Sequence, residues 1–81
     1  MTIMKGDAFR IKKVARKYHC DVWFKGDYVD FVRSKKEGGL SCISGEELFS
    51  LINDMRKLGY KLREIWADDL WYLHIAFVKE N

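Results

Sequence analysis

The side chains of this chain that could do chemistry are few, and their spacing does not suit catalysis. Cys20, Cys42, His19 and His74 could on paper form a set of two cysteines and two histidines, yet none of their spacings follows the close pairs of a zinc site. A Cys–His nucleophile needs the two groups within hydrogen-bond reach and a third to orient the base, and nothing in the order of residues signals one. The acids are scattered. Asp68-Asp69 reads as a turn pair, and Glu46-Glu47 as a helix start, where negative charge suits the dipole. Asp30 and Glu64 are the acids that fall within expected strands, without the acidic pair plus lysine that a metal-dependent nuclease would use. Gly38-Gly39 lacks the following lysine and helix of a phosphate loop. No catalytic residue, metal site, cofactor or small-molecule substrate is implied.

Two sets of residues point instead to binding. Six of the fifteen basic residues but one of the twelve acids lie between Lys5 and Lys17, which leaves nine bases and eleven acids elsewhere. Arg10, Lys12, Lys13, Arg16 and Lys17, with Phe9 among them, form one face of an expected helix and are candidates for an anionic partner, nucleic acid or an acidic protein groove. The plain alternative is a solubilising face. The second set is Trp23, Tyr28, Val32, Arg63, Ile65, Tyr72 and His74, which strand alternation places together on the open face of a sheet. Aromatic residues beside bases can stack nucleobases, but the apolar Ile65, Val32 and Val78 suit a protein interface better. Ordinary cross-strand aromatic pairs in water are the plain alternative here.

The elements that position these residues follow from periodicity. Asp7 is read as the cap of a first helix from about Ala8 to Tyr18, with Ala8, Ile11, Val14, Ala15 and Tyr18 on its apolar arc. Val22 to Lys25 and Tyr28 to Val32 flank Gly26-Asp27, a two-residue turn that pairs Phe24 with Val29 and Val22 with Phe31 on the inner side. Ser34 to Gly39 is the longest loop signal, and Leu40-Ser41-Cys42-Ile43 is a candidate extra strand. Ser44-Gly45-Glu46-Glu47 is a capping box opening a second helix, with Leu48, Leu51, Ile52, Met55 and Leu58 as its stripe and Gly59 as its stop. In the second hairpin, around Asp68-Asp69, alternation puts Tyr60, Leu62, Trp66, Trp71, Leu73, Ile75 and Phe77 beneath the helices. It puts Lys61, Arg63, Ile65, Tyr72, His74, Ala76 and Val78 outside, and Glu64, awkwardly, inside; a buried Glu64 would want a basic partner, or would mark a bulge that has slipped the register.

The helix–hairpin pattern occurs twice. Ala15-Arg16-Lys17-Tyr18 with Val29-Asp30-Phe31-Val32-Arg33 is matched by Met55-Arg56-Lys57-Leu58 with Ile75-Ala76-Phe77-Val78-Lys79. One such unit cannot cover its own apolar face, so two should share a core. The expected fold is α+β: an α-β-β-α-β-β chain with both helices on one face of a mainly antiparallel sheet of four or five strands, in one domain spanning residues 1–81. This succession is similar to the core of the LAGLIDADG homing endonucleases. Neither helix start carries the motif that names that family, so its activity is not implied.

With 48% hydrophobic and 15% aromatic residues in 81, the chain can form one small core. Two cysteines without a disulfide framework, no basic-then-apolar leader and no apolar run of membrane-spanning length imply a reduced, cytoplasmic protein with no membrane partner. Size, aromatic load and the lack of catalytic groups look like the compact accessory proteins of phages and mobile elements, which implies an inhibitor or regulator that occludes a host protein. The expected function is a non-enzymatic module acting through protein–protein contact or self-association as a homodimer. A nucleic-acid-binding regulator is the second reading, and a small metal-dependent nuclease the third.

Overall fold

The computed structural model describes residues 5–34, 43–68 and 72–80. The order is α1 (Lys5–Lys17), β1 (Asp21–Phe24), β2 (Tyr28–Ser34), α2 (Gly45–Lys57), β3 (Tyr60–Asp68) and β4 (Tyr72–Lys79), the α+β succession expected. The four strands form one antiparallel sheet in the order β1-β2-β4-β3, with the helices packed on one face. Leu40 to Cys42 and Trp71 lie outside the described residues, and Ile43 is partly buried but not in a strand.

Both helices bury the arcs that their periodicity assigns. Ile11 and Ala15 of α1, Tyr18 just after it, and Leu51 and Met55 of α2 close onto Val29, Phe31, Tyr60, Leu73, Ile75 and Phe77 of the sheet. Phe31 and Phe77, equivalent residues of the two repeats, meet edge to face with ring centroids 5.4 Å apart. The repeats join by direct pairing of β2 with β4, in which Phe31 faces Ile75 and Val29 faces Phe77. The equivalent residues Asp30 and Ala76 therefore oppose one another, on a local pseudo-twofold between the two strands.

Asp7 is not the cap of α1. The helix starts at Lys5, and the Asp7 carboxylate instead accepts hydrogen bonds from Lys79 Nζ (2.9 Å) and Tyr60 Oη (3.0 Å), tying the helix start to the far ends of β4 and β3. The Lys79 bond, working against partial burial and helped by Tyr60, holds this carboxyl below its ordinary pKa. At the other end, Tyr18 Oη and Lys17 Nζ both donate to Asp54 Oδ2, at 2.7 and 2.9 Å. The start of α1 thus lies by Tyr60, past the end of α2, and its end by Ser50 and Asp54, further back along α2, so the helices run antiparallel. Glu47 N–H donates to Ser44 Oγ (3.1 Å), the first half of the capping box, while the Glu47 carboxylate accepts from Arg33 Nη1 (3.1 Å).

Gly26 takes φ +84° at the first turn position. Lys25 N–H donates to Tyr28 C=O (2.9 Å) and Asp27 N–H to Lys25 C=O (3.1 Å), the latter a γ-turn closure that the positive φ of Gly26 makes the rarer, glycine-favouring form. The expected β1–β2 register results. Both helices stop in the left-handed region, α2 at Gly59 (φ 91°) and α1 at His19 (φ 57°). After α1, Cys20 N–H reaches Ala15 C=O (2.8 Å) and His19 N–H reaches Arg16 C=O (3.2 Å), a Schellman motif with histidine where glycine is preferred. The position explains His19 without a ligand role.

These stops yield a paired prediction. His19→Gly should stabilise the fold by about 0.5–1 kcal/mol, relief of left-handed strain exceeding the added chain entropy. Gly59→Ala should cost about 1–2 kcal/mol. Urea-denaturation midpoints of the two variants moving in opposite directions would bear this out, and equal shifts would contradict it.

Candidate functional site

The feature that shapes the outer sheet face is a bulge. In β3, Tyr60, Lys61 and Leu62 pair with Lys79, Val78 and Phe77, after which Glu64 pairs with Ala76, so Arg63 is the unpaired extra residue. One inserted residue reverses the facing of everything beyond it. Ile65 now opposes the buried Ile75, and Trp66 opposes His74. The expected facing is therefore corrected for both residues: Ile65 lies on the helix side of the sheet edge, where it is 40% exposed, and Trp66 lies outside. Glu64 also moves out, to an exposed position 3.8 Å from Arg63 Nε. The carboxylate that alternation set awkwardly in the core is released by the bulge.

Beyond the bulge, three strands build a polar cluster. His74 Nδ1 meets Asp30 Oδ2 at 2.8 Å, and His74 Nε2 meets Asp68 Oδ2 at 2.8 Å. Trp66 stacks on the imidazole with centroids 4.7 Å apart and planes within 3°. Asp30 is 4% exposed, and its Oδ1 is buried with no hydrogen-bond partner among the described residues. A carboxylate buried this far needs hydrogen bonds and compensating charge; the ring gives the first, and the second when it is protonated. Burial of His74 opposes its charge, but the hydrogen bonds to Asp68 and Asp30 outweigh that and raise its pKa above the ordinary 6.5. The ring nitrogen that a general base would turn toward a substrate is held by Asp68. The trio is thus arranged to hold a charge across β2, β4 and the end of β3.

The other residues of this face divide into covered and open. Val32 is 9% exposed, and Tyr28 is half-covered by the Arg63 guanidinium, 4.6 Å from its ring centroid. Trp23 at 57% and Tyr72 at 45% exposure stand clear. Between them lies an open hollow of about 390 Å³ lined by Val32 and His74, with Asp21, Trp23, Lys25 and Tyr72 around it. Of the seven residues expected on this face, the structure gathers Trp23, Val32, Tyr72 and His74 at the hollow, sets Tyr28 and Arg63 together beside it, and removes Ile65 to the other side.

On the helix side, Arg10, Lys12, Lys13, Arg16 and Lys17 are all exposed, and Phe9 stands 69% exposed among them with Lys13 Nζ 5.8 Å from its ring. Phe49 on α2, equally exposed, is an aromatic that the sequence reading missed; it sits off the apolar stripe, between Leu48 and Ser50, and that offset was the available signal. Cys20 is buried, its Sγ donates to Tyr18 C=O (3.4 Å), and desolvation pushes its pKa up to about 11, which suppresses the thiolate. Among the described residues, no group of three His, Cys, Asp or Glu side chains is placed to hold a metal ion. No helix among the described residues is long and apolar enough to cross a membrane.

Compared with protein-family models, with curated proteins and with solved structures, the chain matches none.

The cluster predicts a pH dependence of known sign. The His74 pKa is raised in the folded chain, so its stabilising contribution is complete below the unfolded value of 6.5 and fades as pH rises through the higher folded value. Urea midpoints measured from about pH 6 to about pH 9 should therefore decline. His74→Gln, which removes the titrating ring, should flatten the decline and lower stability most at the acid end. An identical decline in this variant would assign the dependence to other groups.

Proposed function

We propose that this chain is a binding module that acts by protein–protein contact through the outer face of its sheet. The observation that carries the reading is the hollow floored by Val32, with Trp23 and Tyr72 exposed at opposite corners. Tryptophan and tyrosine are the residues that most often anchor interfaces, and they do so around an apolar centre with a polar rim. Asp21 and Lys25 supply that rim. Beneath it, the Asp30–His74–Asp68 trio and the Trp66 stack fix the floor, so little ordering entropy remains to be lost when a partner docks. The occupant that suits a space of about 390 Å³ is one or two apolar side chains of another protein.

Occlusion of a partner's working surface, as an inhibitor or regulator would do, is one outcome that such a face supports through bulk alone. Self-association through the same hollow is the homodimer version of this reading, and cytoplasmic action its expected setting.

A photo-crosslinking residue in place of Lys25, at the rim, tests the proposal in cells that carry the protein natively. The expected product is a crosslinked protein of defined mass whose yield falls at least tenfold when Trp23→Ala or Tyr72→Ala is added, as loss of an interface anchor of about 1.4 kcal/mol or more requires. Adducts containing nucleic acid, or yields indifferent to both substitutions, would overturn it. Sedimentation of the purified chain separates a second copy from a different partner.

A further inference from the structure

The helix side carries a second surface of different chemistry. Between α1 and α2, facing solvent, lies a groove of about 560 Å³ with Val14 and Leu58 at its base. Arg10, Lys13 and Lys17 form one bank and Lys57 stands on the other. The acid that lines it, Asp54, is already engaged by Tyr18 and Lys17, and the Lys17 bond, against some burial, holds its carboxyl below the ordinary pKa. Among the described residues, no carboxylate comes within ion-pair distance of Arg10, Lys13 or Lys57. The groove is therefore apolar below, and four cations stand along its banks against one carboxylate, Asp54, whose direct ion pair is with Lys17.

We propose that this groove docks an acidic amphipathic helix of a partner protein. Arg10 and Lys13 stand at i and i+3, an axial step of about 4.5 Å along α1, with Lys57 across the groove, while Lys17 at i+7 is held by Asp54. Carboxylates at i and i+3 of a helix laid alongside repeat at the same step, one on its other flank meets Lys57, and the apolar residues between them meet Val14 and Leu58. A nucleic-acid backbone would use the cations but has nothing to place on two aliphatic side chains. This surface lies on the layer opposite the sheet-face hollow, so it stands or fails separately from the sheet-face reading.

The test uses the full chain and a fluorescein-labelled synthetic peptide of about five helical turns, with leucine along one stripe and glutamate flanking it. Companion probes are the same peptide with every Glu→Gln, one with every Leu→Ser, and a labelled DNA duplex at equal ionic strength. The glutamate–leucine peptide should bind, both altered peptides should lose at least tenfold in affinity, and Lys13→Glu with Lys57→Glu should weaken binding by a similar factor while circular dichroism is unchanged. Trp23→Ala should leave the affinity as it was. Tighter binding of the duplex would assign the groove to nucleic acid and overturn the proposal, as would equal binding of the glutamine peptide, no binding of any peptide, or indifference to the double charge reversal.

Discussion

The pairing of β2 with β4 is the interaction on which the rest of this structure depends. Each helix–hairpin unit has an apolar face that it cannot cover, and the β2–β4 ladder places both faces in one plane beneath both helices. Phe31 and Phe77 meet at the centre of this layer, and Ile11, Leu51, Met55 and Tyr60 close over it. The ion pairs at the margins follow from that placement. Asp7 reaches Lys79 and Tyr60, and Asp54 reaches Lys17 and Tyr18, because the core has already set the helix ends beside those groups.

The same ladder brings Asp30 into the middle of the sheet, opposite Ala76, whose small side chain leaves room beside it. The chain resolves the cost of burying that carboxylate with His74, diagonal to it, and Asp68 on the far side of the ring. Trp66 then closes over the imidazole. Side chains alone thereby link three strands across the open sheet face, and Trp23 and Tyr72 stand beside that cluster. The helix layer differs in kind: its cations are exposed, and a charge row with an aliphatic base replaces a hollow with an aromatic rim.

The fold was largely legible in the residues. Helical period, the Ser44 cap, Gly59 and the Gly26 turn are local signals, each governed by backbone conformation within a few residues, and all produced the elements they imply. The facing of β1, β2 and β4 followed from alternation alone. The far half of β3 did not, since one extra residue at Arg63 changes every parity after it. Glu64 was the visible sign of the bulge, an acid on the side meant for the core, but no local rule says which residue the ladder will skip.

By itself, then, the sequence determined the element order, the two apolar arcs, the basic face of α1 and the presence of aromatics on the open sheet face. Those properties depend on side-chain type and period, which are one-dimensional. Only the tertiary structure decided that Trp66 rather than Ile65 faces outward, that His74 lies between Asp30 and Asp68, and that Arg10, Lys13, Lys17 and Lys57 border one groove. Each of these joins residues from different elements through register or helix packing, and register is a property of the whole sheet that no single strand carries.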